Sequence, residues 1–158
     1  RPLELGLLAD VAAHFRSPAS ILVLSRALQR LSREPARAGA LAAAAARLHL
    51  ALAELDSRIA LYDLRERLEA RPLPAGEVLL EAAERIGDAS LLPALARIHS
   101  EERALRSRSE RAFAAIVGRE RLRRGSARFR KLAPADRAAL ESLWASLPGR
   151  TRRERSPG

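Results

Sequence analysis

The chain has 158 residues, no cysteine and a formal net charge of +10, and it is 47% hydrophobic but only 3% aromatic. That length fits one domain. The missing cysteine excludes disulfides, thiolate nucleophiles and cysteine-held metals. With so few aromatics the core has to be built from Leu, Ala, Ile and Val, and strand-favouring residues are scarce, so an all-α chain is expected.

The charge is uneven. Residues 1–100 carry 13 basic and 12 acidic residues, whereas 101–158 carry 16 and 7. Every cation but Lys131 is an arginine, and Ala and Leu are abundant too. GC-rich coding favours all three residue types, which accounts for part of the basicity but not for its confinement to one third of the chain. There is no methionine, and the opening RPLELG reads as helix interior, so a piece of a longer protein is expected. Absence of cysteine fits the cytoplasm. The longest uncharged apolar run, 38–46, falls well short of the roughly 20 residues that cross a bilayer, so no membrane insertion is expected of this segment.

In chain order, the apolar spacing predicts a first helix over 3–15. Ser17 supplies a capping oxygen and Pro18 opens a second helix over 18–32. The loop REPARAG, 33–39, leads to a helix over 38–55. Ser57 stands at the cap of a helix over 57–70, and RPLPAG, 71–76, separates that from a helix over 77–86. The stretch IGDASLLPAL, 86–95, stops one helix on Ile86 and restarts another over 89–101, with Asp88 as cap and Pro93 in the first turn. A helix over 104–118 follows. A basic stretch, 119–132, precedes a last helix over 134–147 that carries Leu140, Leu143, Trp144 and Leu147. Residues 148–158 lack apolar side chains and are expected to be a loose tail.

The break at 86–88 recurs. At an offset of 31 residues, Leu48, Leu52, Leu55, Leu61 and Leu64 fall on Leu79, Ala83, Ile86, Leu92 and Leu95. At an offset of 40, Phe15, Ser17, Ile21, Leu24 and Leu28 fall on Leu55, Ser57, Leu61, Leu64 and Leu68. Paired helices repeating at such intervals are the pattern of an α-solenoid, with a non-repetitive helical bundle as the alternative.

The segment from Leu79 to Ile98 resembles the HEAT-repeat family, in which an apolar-Gly-Asp turn ends one repeat and a proline followed by Ala-Leu opens the next. Gly87, Asp88, Pro93, Ala94 and Leu95 carry that resemblance. At the earlier junction Asp56-Ser57 replaces Gly-Asp, and Tyr62 stands at the proline's place. The resemblance implies an α-α superhelix of about three to four helix pairs over 1–118, belonging to the divergent end of a larger bacterial protein. A basic stretch and capping helix would then occupy 119–147, with the tail after it. It also implies that the second helix of each pair lines a concave binding surface. Outward positions there include Arg47, Glu54, Glu81, Glu84, Arg85, Arg108 and Arg111, a mixture of signs that suits a protein partner or an adjacent domain of the same chain.

Chemistry is harder to find. His14, His49 and His99 lie 35 and 50 residues apart with no metal-ligand spacing, and the scattered glycines form no phosphate loop. The pairs Glu54/Asp56 and Glu81/Glu84 are of the kind that helix exteriors carry routinely. No catalytic residue, cofactor or metal is expected, and the reading is a non-catalytic scaffold. The alternative is a nucleic-acid-associated module in which Arg119, Arg121, Arg123, Arg124, Arg128, Arg130 and Lys131 contact phosphates. If that stretch is helical, Leu122 and Phe129 share its inner face, although Gly125-Ser126 offers a break. Tyr62 is expected to pack with its hydroxyl at the rim, and Trp144 to cover the end of the core.

Overall fold

A computed structural model describes residues 7, 9, 11, 14, 17–33 and 39–147, the side chains of Arg33 and Arg128 excepted. All regular structure among them is helical. Helix α1 spans Pro18–Arg33, α2 Ala40–Glu54, α3 Leu61–Glu69 and α4 Gly76–Ile86. Helix α5, Leu92–Glu101, is entered through a 3₁₀ turn at Ala89–Leu91, and α6, Arg106–Arg119, through one at Arg103–Leu105. The short α7, Ala127–Arg130, and α8, Pro134–Ser146, complete the set. The helix expected over 3–15 lies mostly outside the described residues, and the tail expected over 148–158 lies wholly outside them. No helix among the described residues is long and apolar enough to cross a membrane.

Two of the three expected caps are made. Ser17 Oγ accepts from the Ser20 N–H at 3.2 Å, and Asp88 Oδ1 accepts from the Ser90 N–H at 2.8 Å. Ser57 does not cap α3, which starts four residues late at Leu61. Helix α2 ends in a Schellman closure that uses this segment: Asp56 turns left-handed at φ 54°, its N–H reaches the Ala53 carbonyl at 3.0 Å, and the Ser57 N–H reaches the Leu52 carbonyl at 2.9 Å. Residues 57–60 then form a linking turn.

The same closure ends α6. Arg121 takes φ 50°, and the Leu122 N–H bonds the Val117 carbonyl at 3.0 Å. The basic stretch therefore breaks at Glu120–Arg121, ahead of Gly125. Leu122 and Phe129 both turn inward, but from separate segments and not from one helical face.

The helices pack in two rows. Helix α2 lies on α4 and α4 on α6, while α3 lies on α5 and α5 on α8; α1 on α2, α3 on α4 and α5 on α6 join the rows. Helix α2 is buried on two flanks. Ala44, Ala45, Leu48, Ala51 and Leu52 join Leu24, Leu28 and Leu31 in one cluster, whereas Ala46 and Ala53 face the larger cluster around α4, α5 and α6. Alanines on both sides let neighbouring helices come close.

Gly87 shows the same economy of space. A Cβ there would sit 2.8 Å from Ile116 Cδ1 and 2.9 Å from Leu91 Cδ1, and would also meet the Ala83 carbonyl. Its φ of −57° is ordinary, so glycine is required by contact and not by backbone conformation.

Trp144 closes the far end of the core at 6% exposure, edge-on to Phe113 and Phe129 with ring centroids 5.5 Å apart in each case. Tyr62 does not pack as expected: it is 66% exposed, with the Arg65 guanidinium 5.2 Å from its ring. The buried positions of α3 are Leu64 and Leu68, and Tyr62 falls outside their stripe.

Leu95 is fully buried in the larger cluster, so Leu95→Ala is expected to lower unfolding free energy by roughly 2–5 kcal/mol in urea melts. Arg121→Gly should raise it by about 1 kcal/mol, because glycine adopts the left-handed closing position without Cβ strain. A lowered urea midpoint for the glycine variant would show that the helix end is held differently.

Candidate interaction surfaces

The row α2–α4–α6 brings together most of the mixed-sign residues expected to face a partner. Arg85 pairs with Glu81 at 3.4 Å along α4, and Arg111 of α6 reaches Glu84 at 3.9 Å. Arg108 pairs at 3.3 Å with Glu77, a residue that spacing did not single out. These pairs are solvent-facing and contribute little to stability, but they place α4 and α6 charges on one exposed side. Arg47 and Glu54 lie apart from them. With Ala9, Leu50, Ala51 and Val78 they line a hollow of about 240 Å³ where α2 meets α4.

The arginine-rich stretch divides into bound and free cations. Arg119 is a structural clamp: its guanidinium donates to the Gly87 carbonyl at 2.6 Å and to the Glu84 carbonyl, satisfying the open end of α4. Arg124 is half-buried beside Glu141 at 3.8 Å, with its guanidinium 6.0 Å from the Trp144 ring. Arg121, Arg123, Arg130 and Lys131 are exposed. Arg128 lies outside the described side chains. Arg137, which the motif did not include, donates to the carbonyls of Arg130 and Leu132 at 3.4 and 3.2 Å and ties this segment to α8.

A polar cluster that spacing could not show joins α1, α2 and α3. Asp63 accepts from Ser32 Oγ at 2.9 Å, from Arg67 Nε at 2.6 Å and from His49 Nε2 at 2.7 Å. Because a carboxylate only accepts, the His49 proton sits on Nε2. Ser32 donates to the carboxylate and not to the imidazole, so among the described residues the trio is not arranged as nucleophile and base. His99 of α5 forms a second such link, 2.9 Å from Glu110 of α6. Among the described residues no three His, Asp or Glu side chains converge as a metal site would require.

Burial and hydrogen bonding shift both His49, which is buried, and Asp63, which is half-buried. Burial pushes His49 below its ordinary value, more than the neighbouring Asp63 raises it. Burial alone would raise Asp63, but hydrogen bonds from His49, Arg67 and Ser32, with the Arg67 charge, hold its carboxyl well below the usual range. A group whose value is depressed on folding contributes stability above its unfolded value and loses it as pH falls. The urea midpoint is therefore expected to be level above about pH 6.5, to decline below it as unfolded chains take up a proton at His49, and to decline again below about pH 4 through Asp63. His49→Gln should remove the first decline and Asp63→Asn the second. A midpoint that rises on acidification from pH 7 to 5 would mean that the histidine is stabilised as a cation.

Compared with protein-family models, with curated proteins and with solved structures, the chain matches none.

Proposed function

We propose that the chain is a non-catalytic, HEAT-like helical-repeat scaffold that binds a protein, or an adjacent domain of the same polypeptide, through the α2–α4–α6 side. The observation that supports this most is the pairing of helices. Second helices neighbour second helices, first helices from α3 onward neighbour first helices, and each pair is joined across the rows. That is how stacked two-helix repeats bury their faces. The turn at Gly87–Asp88 lies between two such pairs, where the family resemblance puts it. The exposed side of α4 and α6 carries both signs of charge, which suits a protein surface better than a polyanion.

A second reading draws on the exposed Arg121, Arg123, Arg130 and Lys131. In it the basic segment neutralises nucleic-acid phosphates, and affinity falls steeply with salt.

A photo-crosslinking residue at Glu81 or Arg108 is expected to form adducts in cells of the source organism, whereas one at Tyr62 on α3 should not. Equal adduct formation at all three positions would sink the surface assignment. In parallel, the anisotropy of labelled duplex and single-stranded DNA should show only weak binding at low salt. Tight, salt-sensitive binding abolished by Arg121→Glu with Arg123→Glu would replace the scaffold with the nucleic-acid module.

A further inference from the structure

Where the turn after Gly87 meets the basic segment, a pocket of about 380 Å³ opens, lined by Asp88, Ala89, Ser90, Leu92, Phe129 and Leu132. That size is at the low end for ligand sites and is suited to one large apolar side chain. Its walls are held in place. Leu92 is buried at the start of α5, and Phe129 is wedged edge-on against Trp144. The methyl group of Ala89 leaves the space between them open.

The surroundings are cationic. Arg130 and Lys131, both exposed, stand in the chain between the lining residues Phe129 and Leu132. Arg119 grips the carbonyl of Gly87 next to Asp88, and Arg137 donates to the carbonyl of Leu132 at 3.2 Å. The one acid in the lining, Asp88, is engaged by the Ser90 N–H at 2.8 Å and the Ser90 hydroxyl at 2.6 Å.

We propose that this pocket docks an acidic peptide segment, which inserts one bulky aliphatic or aromatic side chain while its flanking carboxylates meet the exposed Arg130 and Lys131. Charge complementarity selects the occupant. The chain's own residues 148–158 carry four arginines against one glutamate and no apolar side chain, so they fit neither the hole nor its rim. A nucleic acid fits less well. Bases bind by stacking on open aromatic faces, and Phe129 and Trp144 are 7% and 6% exposed. The inference rests on reading the chain as an interaction module, but it uses a different surface from the α4–α6 side.

The test is fluorescence polarisation with a labelled nonapeptide, one central leucine between two runs of four glutamates, beside its central-alanine counterpart and a labelled single-stranded DNA. The leucine peptide is expected to bind at least about tenfold tighter than the alanine peptide, as burial of one such side chain allows. Ala89→Phe, which fills the pocket, should erase that difference. Arg130→Glu with Lys131→Glu should weaken both peptides alike. Glu81→Lys with Arg111→Glu should change neither, which separates this pocket from the α4–α6 surface. Leucine and alanine peptides binding equally, or Ala89→Phe leaving the difference intact, would overturn the pocket. So would DNA binding in the absence of peptide binding, or no binding at all. Thermal unfolding checks that Ala89→Phe folds, and Ser90→Leu at the exposed rim is the second filling variant.

Discussion

The turn at Gly87–Asp88 is the contact on which the arrangement of α4, α5 and α6 depends. Glycine lets the end of α4 settle against Ile116 of α6 and Leu91 of the next turn, an approach that any side chain would block. Asp88 then ties down the Ser90 N–H at the start of the following turn, and Arg119 reaches back from α6 to the carbonyls of Glu84 and Gly87. Steric space, a cap and a charged clamp converge on two residues. The geometry of the neighbouring pocket and of the basic segment follows from that convergence, since Asp88, Ala89 and Ser90 form one wall and Phe129 and Leu132 another.

Much of the helix layout was legible because the signals were local. Ser17–Pro18, Asp88 with Pro93, and Pro134 each mark a helix start through chemistry acting within one turn. The misplaced boundaries have a common cause. Asp56 and Arg121 close their helices in the left-handed conformation without glycine, so the usual residue signal for a Schellman ending was absent. Four residues expected in α3 went to the connection, and the arginine-rich stretch was cut earlier than Gly125 suggested. The burial of Leu64, Leu68, Leu92 and Leu95 followed from periodicity, whereas the exposure of Tyr62 depended on which face α3 turned to its neighbours.

The interaction residues were legible only by type. Sequence spacing allows Glu81 to meet Arg85, since four residues make about one helical turn. It gave no sign that Arg111 would face Glu84, that Arg108 would choose Glu77, or that Ser32, His49 and Asp63 would meet. Those partners are 14 to 31 residues apart along the chain and are joined by tertiary packing alone. One usable sign was present: a histidine between Leu48 and Leu50, in a helix made of alanine and leucine apart from Arg47 and Glu54, needs a polar partner if it is buried. Arginine count was the least informative feature. Of the six cations between 119 and 131 whose side chains are described, Arg119 and Arg124 are engaged with carbonyls, an acid or a ring, and Arg121, Arg123, Arg130 and Lys131 remain for another molecule.

The two-sided burial of α2 has a consequence for how the molecule opens. The smaller apolar cluster holds α1 against one flank of α2, while the larger one continues from its other flank to α8. Detaching α1 therefore breaks the smaller cluster and the Ser32 bonds to Asp63 and Arg67 but leaves the larger cluster closed. Such a boundary divides a chain into units of unequal protection. Amide protons of α1 would exchange through a local, low-energy opening, those of α2 through a rarer one, and those of α4 to α6 only when the whole fold is lost.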